Sequence, residues 1–334
     1  MMIHKFILSL SPMMRLSMLI MVISTIMAIS STNWFMVWVS LEINMLSFIP
    51  FMTKSSKQKN IEAVCKYLVI QACASCIMLY FGYIQLNILN SSSNINMGLM
   101  FAFMMKLGMF PAHYWFPSVL QSCDWAGGMM LATWQKVAPA MILITGVWSD
   151  QDTIAVILLI SIILGGLMGL NQTDVKVILA YSSVSHMGWF LIPYICGMTY
   201  LSYYYFLMYM MISTPIFFLF QVYSYDNPNM SSTITTMPEN MKFSLMLMLL
   251  SLAGLPPLSG FMPKLMVIFN VSIYWPSLAV AIVLASCISL YFYLKLALNI
   301  YMSSKNLLFS VNIDKYVVIS IIIVIMLTPI ILML

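Results

Sequence analysis

The chain has 334 residues, of which 62% are hydrophobic and only 7% charged, and its mean hydropathy is +0.98. An ordinary globular domain carries about a quarter charged residues, so this composition excludes soluble enzymes, nucleic-acid binders and disordered proteins. The apolar runs are continuous, whereas the strands of a membrane β-barrel alternate. Since one span and its turn take roughly 30 residues, the length predicts an all-α polytopic membrane protein with about eleven helices.

Apolar runs separated by polar residues predict the individual spans. In chain order they cover residues 13–30, 33–52, 62–84, 95–121, 127–148, 153–170, 176–197, 199–223, 241–273, 276–301 and 316–334. The fourth span is broken at Pro111, because proline has no N–H to donate to the preceding turn. The ninth is broken by Pro256 and Pro257, with Pro263 shortly after them.

The two broken spans are five helices apart, which indicates a repeat. Because five is odd, the second copy would enter the membrane from the opposite side. We therefore expect two inverted five-helix repeats at 13–148 and 153–301, followed by a C-terminal helix at 316–334, all in one transmembrane domain. Functional sites in such folds tend to lie at the broken helices, near the middle of the membrane.

The positive charges lie on one side of this map. Ten Lys and Arg residues fall in the N-terminal segment, in the loops on that side or at the adjoining helix ends: Lys5, Arg15, Lys54, Lys57, Lys59, Lys66, Lys176, Lys242, Lys305 and Lys315. The loops on the other side contain no Lys or Arg. The positive-inside rule then places the N-terminus in the cytoplasm or an organelle's matrix, and the odd helix count places the C-terminus opposite. The chain begins with no secretory or transit sequence, which favours synthesis inside an organelle or a bacterium.

Apart from the ten residues above, four lysines are predicted within the spans, and one carboxylate is predicted near the middle of a span. They are Lys106, Lys136, Lys264, Lys295 and Glu42. Each costs roughly 2.5–3.5 kcal/mol at a helix centre on insertion scales, so such residues are usually functional. Lys295 is near a helix end, where it can instead extend to the membrane surface.

Three of these lysines lie within five positions of a proline. Pro111 follows Lys106, Pro139 follows Lys136, and Pro263 immediately precedes Lys264. Each proline predicts a helix break that frees backbone carbonyls, and such breaks are tolerated only where protein or water satisfies them. A buried lysine between a low-dielectric environment and a nearby carboxylate can exchange protons near neutral pH. The pattern predicts a proton relay.

Two further groups have open interpretations. Glu42 is either a buried neutral carboxyl group or a carboxylate paired with a lysine of another helix. His186, among several serines, is either a hydrogen-bonded core residue or a relay group, since imidazole titrates near neutral pH. His113, just after Pro111, is a weaker relay candidate.

Several motifs are missing from the sequence. It contains no glycine-rich dinucleotide fingerprint and no Walker A sequence, and its six cysteines are scattered along the chain. We interpret the cysteines as buried small residues, not as metal or iron–sulfur ligands. The chain is not expected to bind NADH, hydrolyse ATP, hold a metal ion or carry electrons.

The residues around the intramembrane charges resemble the antiporter-like subunits of respiratory complex I, NADH:ubiquinone oxidoreductase. The matching stretches are 38–44, 106–117, 134–139, 171–189 and 254–264. The resemblance implies that Glu42 pairs with Lys106. It also implies that Lys136 is the central relay lysine and Lys264 the exit-side one, with His186 between them.

The resemblance also implies a function and a location. The chain would translocate protons as a core membrane-arm subunit in the mitochondrial inner membrane, with its N-terminus in the matrix and its C-terminus in the intermembrane space. Its partners would be other membrane-arm subunits and lipids, with no nucleic acid. NADH, FMN, iron–sulfur clusters and ubiquinone would be bound by other subunits, which would carry out the redox chemistry of the enzyme. A subunit of a multisubunit cation/proton antiporter and a non-pumping scaffold subunit remain as alternatives.

Overall fold

The structure is a computed structural model that describes residues 12–53, 58–87, 93–146, 151–224 and 237–302. The predicted C-terminal helix at 316–334 lies outside the described residues. The chain divides into two compact units, Met1–Ile154 and Ala155–Leu334. That division falls close to the boundary between the two predicted repeats, whose inverted relation stays a prediction.

The described part of the first unit contains seven helices. They are α1 (Pro12–Ser30), α2 (Trp34–Met52), α3 (Gln58–Asn87), α4 (Ser93–Leu107), α5 (Trp115–Ser122), α6 (Trp125–Ala132) and α7 (Trp134–Thr145). α7 packs against α1, α2 and α4, and α3 packs against α2, α4 and α5. These contacts bring the interrupted α4–α5 segment to the side chains of α3 and α7.

The second unit contains six described helices. They are α8 (Gln151–Leu170), which begins in the first unit, α9 (Val175–Ile195), α10 (Thr199–Ser224), α11 (Glu239–Ala253), α12 (Phe261–Tyr274) and α13 (Pro276–Met302). α9 is buried along almost its whole length. It approaches α8 closely, because a Cβ atom on Gly165 would lie 2.8 Å from the backbone nitrogen of Ser185. Small residues at helix contacts are typical of membrane proteins, where they let backbones come together.

Seven of the described helices are long and apolar enough to cross a membrane. They correspond to the predicted spans at 13–30, 33–52, 62–84, 153–170, 176–197, 199–223 and 276–301. The all-α membrane architecture is confirmed, with boundaries that differ by up to four residues. The total of eleven spans stays a prediction, because the last one is not described.

The interruptions of the fourth and ninth predicted spans are confirmed. α4 ends at Leu107 and α5 begins at Trp115, so Pro111 lies in the break. α11 ends at Ala253 and α12 begins at Phe261, so Pro256 and Pro257 lie in the second break.

Two of the predicted break positions are wrong. Pro139 lies inside α7, and the interruption of the fifth predicted span falls earlier, at Thr133. A single missing N–H can be accommodated within a membrane helix by its neighbours. Pro263 is the third residue of α12, in the first turn, where its missing N–H would have had no partner inside the helix.

The interpretation of the cysteines as buried is also corrected. Cys123 is buried, but Cys65, Cys73, Cys76 and Cys287 are exposed. Large apolar side chains such as Leu19 and Phe269 are exposed in the same way. In a lipid-facing helix an apolar side chain has no need of a protein core, so the hydrophobicity of these residues could not reveal burial.

Candidate functional site

Lys106 lies in the last turn of α4, immediately before the break, and is buried. The chain leaves the helix at Gly108, which has a φ of 70° that a residue with a side chain rarely adopts. The carbonyl of Met105 accepts hydrogen bonds from the Trp115 indole at 3.0 Å and from the backbone N–H of Gly108 at 3.2 Å. The Lys106 carbonyl accepts a bond from the Gln71 amide at 3.4 Å. The fold therefore satisfies the carbonyls at this end of α4.

Lys136 is the third residue of α7, directly after the interruption at Thr133. Its side chain is 2% exposed, and its Nζ lies 4.2 Å from the centroid of the Phe116 ring. A lysine ammonium above an aromatic face is attracted by the negative face of the ring. Position three of a helix is unfavourable for a cation, because the helix N-terminus carries a positive partial charge.

Lys106 and Lys136 line the same narrow cavity in the first unit. Gln135 borders it and connects three helices. Its amide nitrogen donates to Oδ1 of Asn44 on α2, and its carbonyl oxygen accepts from the Tyr67 hydroxyl on α3, both at 3.2 Å. These amide and hydroxyl groups give a mostly apolar helix bundle one polar interior, which contains both lysines.

Glu42 lies on α2 and is half-buried. Its charge acts on Lys106 and on the Tyr67 hydroxyl, so the three groups are near one another. In the described part of the chain, however, the carboxylate and the Lys106 ammonium form no direct ion pair. The contact expected from the resemblance is therefore absent in this structure, although the electrostatic interaction is present.

Lys264 lies in the second unit, in the first turn of α12, and it too is buried. Its Nζ donates hydrogen bonds to the carbonyls of Leu252 at 3.2 Å and Ala253 at 2.7 Å, the last two residues of α11. These carbonyls have no helical N–H to bind, and a helix C-terminus favours a cation. Gly254, with a φ of 82°, turns the chain at this point and leaves room for the lysine side chain.

His186 is buried in the middle of α9. Its Nδ1 lies 2.8 Å from the Tyr205 hydroxyl, and its Nε2 lies 3.2 Å from the Tyr293 hydroxyl. The Tyr209 ring packs against the imidazole, with 5.3 Å between ring centroids. Both ring nitrogens thus have a group that can either donate or accept a proton.

The two weaker candidates have different environments. His113 is buried in the break after α4, where its ring packs on Tyr114. Lys295 is exposed on α13, in agreement with a side chain that extends out of the bundle. Among the described residues, no group of three or more His, Cys, Asp or Glu side chains is arranged to hold a metal ion.

A sequence profile of the family described as NADH:quinone oxidoreductase/Mrp antiporter, transmembrane, matches residues 31–289. The chain belongs to this family.

The sequences of relatives in the antiporter family align with most of the chain. The protein named NADH-ubiquinone oxidoreductase chain 2 of Lumbricus terrestris is 34% identical over 297 residues, which are 86% of this chain and 87% of that protein. The protein of the same name from Loxodonta africana is 39% identical over 305 residues, which are 86% of this chain and 84% of that protein.

Solved structures show the same antiporter-family fold. A chain of respiratory complex I from Thermus thermophilus with bound aureothin superimposes with a TM-score of 0.81 at 21% identity, covering 96% of this chain and 79% of that one. A chain of the Mrp complex from Dietzia sp. gives a TM-score of 0.73 at 19% identity, covering 84% of this chain and 59% of that one.

The structure adds polar residues that sequence reasoning did not single out. They are Asn44, Tyr67, Gln71 and Gln135 in the first unit and Tyr205, Tyr209 and Tyr293 in the second. Gln135 was detectable, since it is a polar residue next to a lysine inside a span. The tyrosines were not, because tyrosine is common in membrane helices at the lipid boundary and only packing distinguishes a buried hydroxyl.

Proposed function

We propose that this chain is the proton-translocating chain 2 of the membrane arm of NADH:ubiquinone oxidoreductase. The observation that carries the proposal is the burial of three lysines at or next to helix interruptions, Lys106, Lys136 and Lys264. A scaffold subunit has no need of such groups, each of which is costly in a membrane. The names of the relatives and the family's fold support the same assignment.

In this proposal the protons pass along Glu42, Lys106, Lys136, His186 and Lys264. Glu42 controls the charge on Lys106, and Lys106 shares its cavity with Lys136. Lys264 holds its proton against the end of α11 until it is released. The chain performs no redox chemistry itself. NADH oxidation and quinone reduction occur in other subunits, which hold FMN, the iron–sulfur clusters and ubiquinone.

The proposed location follows from the relatives and from the lysine distribution. The chain lies in the mitochondrial inner membrane among other membrane-arm subunits and lipids. The lysine-rich loops face the matrix, with the N-terminus, and the C-terminus faces the intermembrane space.

The decisive experiment uses Lys136, in the assembled complex reconstituted into vesicles. Lys136→Met removes the charge, and Lys136→Arg keeps the charge but cannot release its proton at physiological pH. We expect both variants to lose the proton uptake that this chain contributes per NADH oxidised. Lys295→Met is the matched control, because it removes an exposed lysine. Full pumping by Lys136→Arg would refute a titrating role and favour a scaffold.

The Mrp structure favours one alternative, a subunit of a cation/proton antiporter without a redox partner. The two functions differ in their assemblies. Purification of the native chain with a flavin- and iron–sulfur-containing arm supports the oxidoreductase. Purification without such an arm, together with sodium-driven proton exchange, would establish the antiporter instead.

A further inference from the structure

The side chain of Gln135 is bonded to three other helices at once. Its amide nitrogen donates to Oδ1 of Asn44 on α2 and to the sulfur of Met21 on α1, and its carbonyl oxygen accepts from the Tyr67 hydroxyl on α3, each at 3.2 Å. An amide side chain has two N–H donors and a carbonyl oxygen that accepts, so both of its ends are engaged. The side chain cannot turn without breaking bonds to α1, α2 and α3.

Gln135 lies where its own helix gives little support. It is the second residue of α7, and Thr133, with a φ of −115° and a ψ of −78°, separates this helix from α6. The backbone N–H of Lys136 donates to the carbonyl of Thr133 at 3.2 Å. The first N–H groups of a helix have no partner four residues earlier. Because no continuous helix precedes this turn, contacts with the neighbouring helices determine where it lies.

Lys136 follows Gln135 directly and faces a different neighbour. Successive residues of a helix are rotated by about 100°, so the two side chains leave α7 on different sides. The Nζ of Lys136 lies 4.2 Å from the centroid of the Phe116 ring on α5. Phe116 packs against the end of α4, since a Cβ atom on Gly108 would lie 2.9 Å from the Cβ of Phe116. Lys106 is two residues before Gly108, so the placement of α7 sets the relation between the two lysines that share a cavity.

We propose that Gln135 is a positioning residue, which fixes the first turn of α7 so that Lys136 is held beside the cavity that it shares with Lys106. Burial alone would explain a hydrogen-bonded amide, but here the bonds reach three helices from the one turn that lacks a preceding helix. Gln135 transfers no proton itself, because an amide does not titrate near neutral pH. This inference rests on the proposed function, since it deepens the role of Lys136 in the proposed relay.

The test uses the assembled complex, reconstituted into vesicles with a pH indicator. Gln135→Met keeps an unbranched side chain of similar length and removes the amide. Tyr67→Phe is the milder change, because it removes one hydroxyl and leaves the bonds of the amide to α1 and α2. Gln58→Met and Tyr83→Phe are the matched controls, since both residues are exposed on α3. Lys136→Met serves as the reference for loss of pumping through this chain.

We expect Gln135→Met to lower proton uptake per NADH oxidised to the level of Lys136→Met, after correction for the amount of assembled complex. A misplacement of about 1 Å can cost about a hundredfold in rate. Tyr67→Phe should give a smaller loss, because two of the three bonds remain. The double variant should pump no less than Gln135→Met alone, because both changes remove the same bond. The two control variants should pump as the unsubstituted complex does.

The pH profile of proton uptake separates positioning from packing. The titratable side chains around Lys136 are Lys106 on α4 and Tyr67 on α3, which line its cavity, and Glu42 on α2, whose charge acts on both of them. Gln135→Met leaves all of these in place. If the amide positions Lys136, its loss should move the pH of half-maximal uptake by about one unit, the usual spread of pKa values among protein environments. A bundle that is only loosened would lower uptake by the same factor at every pH.

The two proposals fail in different ways. If Lys136→Met lowers proton uptake but Gln135→Met pumps normally, the positioning role is refuted and the proposed function stands. If Gln135→Met lowers uptake without moving the pH profile, or only as far as the amount of complex on a native gel falls, the amide supports packing alone and the inference is overturned. If Lys136→Met itself leaves uptake unchanged, the proposed function fails and the inference fails with it.

Discussion

Lys136 in the first unit and Lys264 in the second are both almost fully buried next to a helix interruption, but their ammonium groups have different neighbours. Lys264 donates to two carbonyls at the end of α11. Lys136 lies over the face of Phe116 and borders a cavity that also contains Lys106. One charge is held by backbone groups of the fold, and the other lies among side chains.

The difference indicates how each proton is held. The carbonyls at the C-terminus of α11 stabilise the charged form of Lys264, although the residue itself lies in the first turn of α12. Lys136 is likewise close to a helix N-terminus, that of α7, where the dipole disfavours a cation. The ammonium of Lys264 is therefore positioned by backbone groups of the fold, whereas that of Lys136 lies beside the side chains that line its cavity. A relay needs both kinds of site, since a proton must be held at one point and released at another.

The largest effect is expected from a substitution in the backbone turn that forms the Lys264 site. A methyl group at Gly260 would collide with the backbone carbonyl of Ser251, although the φ of Gly260, −72°, is an ordinary value. We expect Gly260→Ala to prevent accumulation of the assembled complex, measured on a native gel. That result would show that the Lys264 site depends on the close approach of the backbone at Gly260 to the backbone at Ser251.

Gly197→Ala is the matched control for this change. Its φ of 77° is strained for alanine, but among the described residues, apart from its two chain neighbours, no atom lies within 4 Å of the added methyl group. The cost should be about 1–2 kcal/mol from the backbone alone, and assembly should continue. Normal assembly of the Gly260 variant would show that the turn can relax and that the close approach is unimportant.

The next largest effect is a difference in thermal stability between variants of the two lysines. Lys264→Met leaves the carbonyls of Leu252 and Ala253 without their donor, and each unsatisfied buried group costs about 1–3 kcal/mol. Lys136→Met exchanges an ammonium group for an apolar side chain in a membrane interior, which removes a cost. We therefore expect the Lys264 variant to have the lower thermal unfolding temperature, in complexes that both fail to pump. Equal unfolding temperatures would show that the carbonyls find other donors and that the two sites are energetically alike.

Parts of this comparison could be predicted from the sequence, and parts could not. Apolar runs and proline positions predicted the described long spans and the breaks at Pro111 and Pro256, because backbone chemistry acts locally. The same reasoning misplaced the interruption near Lys136, which lies at Thr133 and not at Pro139. Proline removes one donor wherever it occurs, but whether a helix then stops depends on packing around it.

Side-chain partners were even less accessible to sequence reasoning. The hydrogen bonds from Lys264 to the end of α11 join residues eleven and twelve positions apart across a turn. The hydrogen-bonding partners of His186 are Tyr205 and Tyr293, which are 19 and 107 positions away. No periodicity in the sequence connects residues so far apart. Sequence reasoning therefore identified the charges that are costly to bury, but not the groups that stabilise them.

The smallest effect concerns Glu42 and Lys106, whose charges interact without a direct ion pair in the described structure. Removing either one leaves the other with less compensation in a low-dielectric interior. Glu42→Gln combined with Lys106→Met should therefore destabilise the complex less than the sum of the single changes. Because no direct hydrogen bond is lost, the coupling free energy should be near the lower end of the usual range, about 0.5 kcal/mol.

A double-mutant cycle on thermal unfolding of the assembled complex measures this coupling. Glu62 and Lys66, an exposed pair on α3 that does form an ion pair, provide the control cycle. That pair should contribute little and weaken with added salt, as exposed helix pairs do. The Glu42–Lys106 coupling should resist salt, because it acts through the protein interior. Strict additivity for Glu42 and Lys106 would remove Glu42 from the control of the first lysine, and the relay in the first unit would then begin at Lys106.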